Sequence, residues 1–188
     1  MKHRLFVAID VPSAEILALQ LRLDQLRLPV IWEKPEKIHL TLNFLGRIPD
    51  DQFSQINGII RNIAKKFPPQ HLELHFLETL YRRHESTLVY LSASSPDLKS
   101  LQHSLSLSLS PISPQPIRFL PHITIGQLKR TDPTTTKRVI DQISNFDYTP
   151  LPSFAVDHIT LYESFLSSKG STYQKQATFS LSSLSELT

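Results

Sequence analysis

The spacing of apolar residues predicts four amphipathic helices. The first spans residues 13–28 and the second 50–67, and in each the apolar residues recur at offsets of 0, 3, 7 and 10, which form one stripe of a helix. Similar stripes predict a third helix from Pro96 through Leu105 and a fourth over 133–146. Residues 104–110, which read SLSLSLS, alternate with a period of two, so their pattern leaves both a helix end and a strand open.

Between the helices, runs rich in β-branched and aromatic residues predict strands. These lie at about 3–9, 37–45, 71–78, 87–93, 117–128, 155–163 and 172–180. The prolines of residues 111–117 predict a connection within one compact body, because proline is excluded from helix interiors and central strands. The order of elements predicts an α+β fold, built as a single domain over 1–188 from two similar halves that face each other.

Composition then narrows the class of protein. With 188 residues, of which 40% are hydrophobic and 20% charged, the chain has the length and composition of a soluble protein with one hydrophobic core. The absence of cysteine excludes disulfides, thiolate metal sites and cysteine nucleophiles, and it favours a cytoplasmic location. The apolar run from Leu5 to Ile9 is too short for a signal peptide or a membrane span. A formal charge of +3 and a pI near 9.2 mildly favour partners that carry phosphate.

The pattern His-x-Thr-x, with apolar residues at its second and fourth positions, is the candidate for chemistry. It occurs at residues 39–42, 122–125 and 158–161, whereas chance placement gives roughly 0.1 copy. Side chains two apart on a strand share a face, about 6 to 7 Å from each other, so a histidine and a threonine in this pattern can act on one small group. In the first copy, Leu40, Leu42 and Phe44 are expected on the opposite, apolar face. For one copy alone, the strand preference of threonine is explanation enough.

Two such pairs facing each other across a cleft would bracket a phosphate. One histidine could be neutral and act as a base while the other is protonated and acts as an acid, and the threonine hydroxyls could donate to phosphoryl oxygens. This displacement needs no metal. A zinc site is the weaker alternative, because the motifs lack an adjacent acidic residue and a His-x-His pair. The chain also lacks HExxH, P-loop, GxSxG and GxGxxG sequences, so we expect no metal and no cofactor.

Four segments of the chain resemble the 2H phosphoesterases, and among them the RNA 2′,3′-cyclic phosphodiesterases, also called 2′-5′ RNA ligases. They are RLFVAIDVP (4–12), WEKPEKIHLTLNFLG (32–46), FLPHITIG (119–126) and LYESFLSSKGSTY (161–173). Two His-x-Thr-x motifs 83 residues apart, each with its own flanking sequence, make this resemblance specific. It implies a bilobal α+β fold in which two antiparallel sheets face each other across a central cleft, with helices on the outside and one motif strand in each sheet.

The resemblance also implies an activity, which is the opening of a terminal 2′,3′-cyclic phosphate on RNA to a 2′-phosphate, with weak reverse ligation. Carried over by position, His39 is the proton donor to the departing 3′ oxygen and His122 is the base that activates water. Thr41 and Thr124 hold the phosphoryl oxygens. The expected partner is an RNA end, the expected assembly is a monomer, and no membrane is involved.

Two alternatives stay open at the level of sequence. One is a 2H phosphodiesterase that acts on a small cyclic nucleotide or on a 2′-5′ oligonucleotide, because the motifs define the phosphate chemistry better than the group attached to it. The other is a module that binds RNA ends without turnover. The presence of histidine in both motifs argues against the second alternative, since binding alone does not require a matched acid and base.

Some residues outside the pair of motifs carry separate expectations. Members of the family often have a basic residue where this chain has Gln127, so phosphate affinity is expected to be weaker or to depend on Lys129 or Arg130. His158, in the third motif, is expected to be structural, because the resemblance places it in an ordinary strand.

Aromatic and basic side chains near the motifs have both a structural and a functional interpretation. Trp32 and Phe44 could stack on a base of single-stranded RNA, but we expect both to pack in the core. Residues 82–84, Arg-Arg-His, could guide a phosphate backbone, but a charged turn in solvent is the expected interpretation.

Overall fold

Nine strands and four helices make up the part of the chain that the computed structural model describes, which is residues 2–80, 87–114, 118–168 and 170–182. The strands are β1 (Lys2–Asp10), β2 (Val30–Trp32), β3 (His39–Pro49), β4 (Gln70–Leu80), β5 (Leu88–Ser94), β6 (His122–Leu128), β7 (Ser153–Val156), β8 (His158–Ser167) and β9 (Gly170–Ser180). The helices are α1 (Ala14–Asp24), α2 (Phe53–Ala64), α3 (Leu98–Leu109) and α4 (Pro133–Ser144). Short 3₁₀ helices precede β3 at Pro35–Lys37 and α2 at Asp50–Gln52.

The strands form one antiparallel sheet, in the order β7-β4-β5-β6-β3-β1-β8-β9, with β2 paired to β6. Strands β4 to β7 make one half of the sheet, and β1, β3, β8 and β9 make the other. The halves meet where Leu40 of β3 pairs with Ile123 of β6. The predicted α+β fold is confirmed, and the two expected sheets are the two halves of this continuous sheet. The two motif strands are therefore direct neighbours at its centre.

The core lies on one face of this sheet, where the helices pack. The apolar stripes predicted from the sequence supply the main helical part of it: α1 contributes Ile16, Leu19 and Leu23, α2 contributes Ile56, Ile60 and Ile63, and α3 contributes Leu98, Leu101 and Leu105. Leu40 and Ile123 are fully buried in the same core. Because side chains alternate along a strand, the histidine and threonine of each motif point to the opposite, open face of the sheet.

Some element boundaries differ from the predictions for local reasons. The ambiguous segment 104–110 is helical as far as Leu109, because Leu105 and Leu109 continue the buried stripe of α3. Leu26 lies beyond the end of α1 and is 37% exposed, so the predicted stripe of α1 is one residue too long. Strand β2 was not predicted, since three residues are too few for a periodic pattern.

Residues 82–84, for which we predicted a charged turn, lie outside the described residues. Among the helices that the structure describes, none combines the length and the apolar character needed to cross a membrane.

Candidate active site

Strand β3 carries its motif on the open face of the sheet, and directly after the motif the alternation of side chains between the two faces is reversed. In the pairing of β3 with β1, Leu42 is an extra residue, so a β-bulge directly follows Thr41. The bulge turns Phe44 to the same face as His39, where its side chain is 64% exposed and its ring lies 5.9 Å from that of Phe6. The expected core position of Phe44 is wrong, because a strict period of two does not anticipate the extra residue.

Strand β6 repeats this geometry in the other half of the sheet. Ile125 is the extra residue in its pairing with β5, so a bulge directly follows Thr124. Gln127 consequently lies on the open face, at the position that corresponds to Phe44, and its side-chain amide donates to Glu33 Oε1 at 3.1 Å. Lys129 and Arg130 follow the end of β6, and Lys129 lies five positions from Thr124, or about 17 Å along an extended strand.

The pairing of the two motif strands brings the predicted site residues together. Because Leu40 is opposite Ile123, the antiparallel register places His39 opposite Thr124 and Thr41 opposite His122. We call these four side chains the histidine–threonine quartet. The two histidines are diagonal neighbours, which in a regular ladder lie about 7 to 8 Å apart. One tetrahedral phosphate fits between groups at that separation.

Both histidine rings are oriented by the same backbone contact. His39 Nδ1 donates to the carbonyl of Lys37 at 2.7 Å, and His122 Nδ1 donates to the carbonyl of Leu120 at 2.8 Å. A carbonyl oxygen only accepts, so each Nδ1 carries a hydrogen and Nε2 is the nitrogen that can gain or lose a proton. His39 Nε2 lies 3.0 Å from Thr41 Oγ1, within the quartet. Each ring is thus arranged to exchange a proton on the open face.

The surroundings of His39 control its charge. Burial lowers the pKa of His39, the hydrogen bond to the Lys37 carbonyl raises it, and positive charge on His122 lowers it further. The ring is enclosed by aromatic side chains, with centroids at 5.1 Å for Phe6 and 5.3 Å for Tyr173. Since a charge on either histidine opposes a charge on the other, the pair favours holding one proton between its two rings.

His122 has a more open position and a phenol as its neighbour. The ring of Tyr90 meets it edge-on at 5.5 Å, and the Tyr90 hydroxyl donates to Glu78. Burial and this carboxylate raise the pKa of Tyr90 to about 12, so its hydroxyl keeps its proton at neutral pH. Tyr90 pairs with Thr124 in register and therefore borders the quartet on the β5 side.

The third motif does not join the quartet. His158 Nε2 lies 3.1 Å from Asp10 Oδ2, and Thr160 Oγ1 donates to the same oxygen at 3.2 Å. His158 Nδ1 also contacts Asp157 Oδ1 at 2.5 Å. The ring is therefore occupied with two carboxylates, in keeping with the structural role expected for His158. Sequence reasoning missed Asp10, although the residue is the first charged group after the apolar run of β1.

Trp32 has the packing role expected from the sequence. Its side chain packs against the core, and its indole nitrogen donates to Asp24 Oδ1 at 2.9 Å. The ring also covers Gly126, where a Cβ atom would lie 2.9 Å from Trp32 Cε3. Trp32 thus packs against the core and over Gly126 of β6, as expected.

Comparison with known proteins identifies the family. The sequence model of the 2′-5′ RNA ligase superfamily matches residues 17–164. An RNA 2′,3′-cyclic phosphodiesterase from Methanocaldococcus jannaschii is 26% identical over 175 residues, which cover 91% of this chain and 96% of the relative. An RNA 2′,3′-cyclic phosphodiesterase from Thermotoga maritima is 28% identical over 179 residues, which cover 91% of each chain.

Solved structures show the same fold. The crystal structure of Escherichia coli LigT complexed with 3′-AMP superimposes with a TM-score of 0.71 at 25% identity, and the match covers 96% of this chain and 99% of that chain. The likeness in fold therefore extends over almost the full length of both chains.

Proposed function

The chain belongs to the 2′-5′ RNA ligase superfamily, and on that basis we propose that it hydrolyses 2′,3′-cyclic phosphate ends of RNA to 2′-phosphates by metal-independent acid and base catalysis. The observation that carries this proposal is the histidine–threonine quartet. It combines two proton-exchanging nitrogens with two hydroxyl donors on one open face. The named relatives support the substrate class, because both are RNA 2′,3′-cyclic phosphodiesterases.

The proposed reaction is an in-line displacement at phosphorus. Nε2 of neutral His122 accepts a proton from water as the water oxygen attacks phosphorus. The bond from phosphorus to the 3′ oxygen breaks on the opposite side, and protonated His39 gives its Nε2 proton to that oxygen. The products are a 2′-phosphate and a 3′-hydroxyl. Thr41 and Thr124 donate hydrogen bonds to the non-bridging oxygens, where negative charge increases in the transition state.

The electrostatic coupling of His39 and His122 supports this assignment of an acid and a base. A pair of histidines that shares one proton has an acid and a base available at the same time. Burial lowers the pKa of His39, so this residue needs an anion beside it in order to hold the proton. The bound phosphodiester supplies one negative charge at that place, and the protonated acid therefore forms most readily when substrate is present.

The direct test uses an RNA oligomer that ends in a 2′,3′-cyclic phosphate, incubated with the purified protein and a chelator. Phosphorus NMR identifies the product, and a doubly substituted His39→Ala/His122→Ala protein serves as the control. We expect a 2′-phosphate. A 3′-phosphate would reverse the assignment of the acid and the base, and activity that needs added divalent metal would contradict the metal-free mechanism.

The same assay separates the two alternative functions. Opening of a small cyclic nucleotide or cleavage of a 2′-5′ oligonucleotide, with the RNA end unchanged, would indicate another 2H phosphodiesterase. Binding of the RNA end without any turnover would indicate a binding module. Weak ligation belongs to the proposal as the reverse reaction, and it should appear when a 2′,3′-cyclic end and a 5′-hydroxyl end are both supplied at high concentration.

The proposed enzyme is a cytoplasmic monomer with one domain. One chain supplies both motifs, so no second copy is needed to complete the quartet. The lack of cysteine suits a reducing compartment. Light scattering on the purified protein tests the monomer, and a dimeric mass would contradict it.

A further inference from the structure

We propose that Asp10 is a positioning residue that makes the two histidines unequal, so that the shared proton resides on His39. The inference rests on the proposed function, because it explains why His39 and not His122 is the acid. It goes beyond that function by assigning a role to a carboxylate that takes no part in the proposed proton transfers.

The sheet register puts Asp10 beside His39 and an uncharged residue beside His122. Asp10 ends β1 and pairs directly with His39 of β3. In the other half of the sheet, Ser92 of β5 pairs directly with His122 of β6. Directly paired residues share a face, so each histidine has its partner's side chain as a neighbour on the open face. At this position the two histidines have the same kind of strand pairing, but only the partner of His39 carries a negative charge.

Side chains from β8 and β9 fix the Asp10 carboxylate. It accepts hydrogen bonds from Tyr162 on Oδ1 and from Lys175 (2.5 Å), His158 (3.1 Å) and Thr160 (3.2 Å) on Oδ2. Burial alone would raise the pKa of Asp10, but the hydrogen bonds from Lys175, Tyr162 and His158 outweigh burial and lower it. Asp10 is therefore ionised throughout the neutral range. The third His-x-Thr-x motif thus has a function, which is to hold this carboxylate.

The charged and titratable groups around His39 come from several strands. Burial is the largest influence on the pKa of His39 and lowers it; His122 on β6 lowers this pKa further, whereas Asp10 on β1 acts in the opposite direction. Lys175 on β9 and His158 on β8 lie behind the Asp10 carboxylate, and Lys175 is 58% exposed, so solvent screens its charge. Tyr162 and Tyr173 contribute aromatic rings with centroids at 6.3 Å and 5.3 Å from that of His39. Asp10 is thus a negative group that favours the imidazolium form of His39.

Asp10 also fixes the position of Tyr162, which together with Phe6 forms an aromatic wall beside His39. The Tyr162 hydroxyl donates to Asp10, and the Tyr162 ring stacks on Phe6 with a centroid distance of 5.2 Å and an interplanar angle of 11°. Phe6 in turn contacts His39. This wall buries His39, and burial disfavours its charged form. The same carboxylate that anchors the wall therefore opposes, in part, the lowering of the His39 pKa that the wall causes.

The test is Asp10→Asn, which removes the charge and keeps the size of the side chain. NMR titration measures the pKa of His39, whose signals are assigned by their loss in His39→Ala. We expect this pKa to fall. Turnover of the cyclic RNA end at neutral pH should fall with it, on the order of tenfold if the pKa of His39 drops by about one. Hydrolysis of bis(para-nitrophenyl) phosphate should be unchanged, because its leaving group departs without a proton.

Asp157→Asn is the matched control. Asp157 contacts the other nitrogen of His158, and its side chain is 78% exposed. Removing its charge should leave both the pKa of His39 and turnover unchanged. If Asp10→Asn lowered turnover of the cyclic RNA end and of bis(para-nitrophenyl) phosphate equally, Asp10 would have only a structural role, and the proposal would be overturned. An unchanged His39 pKa in Asp10→Asn would overturn it as well.

A reciprocal variant covers the case in which Asp10→Asn does not fold. Ser92→Asp places a carboxylate beside His122, which should raise the pKa of His122 and slow turnover, whereas Ser92→Asn should leave that pKa unchanged. An unchanged His122 pKa in Ser92→Asp would contradict the argument from register. Failure of the proposed function looks different, because His39→Ala would then retain hydrolysis of the cyclic end whatever the Asp10 variants do.

Discussion

At the scale of the residue, the two histidines have the same backbone contact but different proposed roles. Their alanine variants should therefore differ when the substrate has a leaving group that needs no proton. His39→Ala and His122→Ala should each slow hydrolysis of the cyclic RNA end by roughly 10² to 10⁴, the usual contribution of a general acid or base. With bis(para-nitrophenyl) phosphate, His39→Ala should recover most of its activity and His122→Ala should not, because only the base is still needed.

The control for these variants is His103→Ala, since His103 is exposed on α3, on the helical side of the sheet. Steady-state rates of all three variants test the assigned roles, and circular dichroism shows whether each variant is folded. Recovery by His122→Ala in place of His39→Ala would reverse the assigned roles, and recovery by neither variant would mean that His39 does more than donate a proton.

The threonines of the quartet should matter through their hydroxyl groups alone. Thr41→Ala and Thr124→Ala each remove a donor to a charged phosphate, at a cost of about 1.5 to 3 kcal/mol in transition-state stabilisation. Thr41→Ser and Thr124→Ser keep the hydroxyl and should stay close to the parent in kcat/KM. If serine variants lose as much as alanine variants, the threonine methyl groups and not the hydrogen bonds are responsible.

At the scale of the element, the sequence is informative where its pattern is periodic. The buried stripes of α1, α2 and α3 follow from apolar spacing, and the motifs predict that His39 and Thr41 share a face, as do His122 and Thr124. The bulges at Leu42 and Ile125 break this periodicity, and they decide where Phe44 and Gln127 lie. The extra residue at Leu42 reverses the alternation, but the sequence hides the reversal because Phe44 is apolar although it lies on the open face.

Gly126 gives a prediction for the strand that follows the second motif. A Cβ atom there would lie 2.8 Å from Val30 Cγ1 and 2.9 Å from Trp32 Cε3, so β2 leaves no room for a side chain. Gly126→Ala should lower the free energy of unfolding by about 1 to 3 kcal/mol, as overpacking usually does. It should also slow turnover, because Gly126 is two residues from Thr124.

The matched variant is Gly58→Ala in α2, where a Cβ atom has no neighbour within 4 Å. Alanine favours a helix over glycine by about 0.8 to 1 kcal/mol, so this variant should be more stable than the parent and equally active. Urea unfolding of both variants tests the pair. Parent-like stability of Gly126→Ala would show that β2 moves away easily.

At the scale of the whole molecule, the site depends on contacts between distant parts of the chain. The bond from Lys175 to Asp10 spans 165 positions, and the quartet depends on the pairing of β3 with β6. Periodicity describes one element at a time, so it cannot supply such contacts. The resemblance to a known family suggested that the two motifs meet, but only the tertiary structure reveals that the third motif binds Asp10.

A second long-range contact gives a prediction about stability and pH. His3 of β1 lies 2.7 Å from Glu163 of β8 and 2.6 Å from Asp50, which precedes α2. The hydrogen bond to Glu163, followed by the one to Asp50, raises the pKa of His3. A raised pKa in the folded state means that protonated His3 stabilises the fold below the unfolded value of about 6.5. This contribution disappears as the pH rises through the folded pKa.

His3→Gln should therefore destabilise the protein more at about pH 5.5 than at about pH 8.5. The measurement is the urea midpoint of parent and variant at both pH values. His71→Gln is the control, because His71 is exposed on β4 and its ring contacts Ser153 and not a carboxylate. A loss of stability that is the same at both pH values would show that His3 acts through packing on Phe53, whose ring lies 5.8 Å away, and not through its charge. A larger loss at the higher pH would mean that neutral His3 is the stabilising form, contrary to its position between two carboxylates.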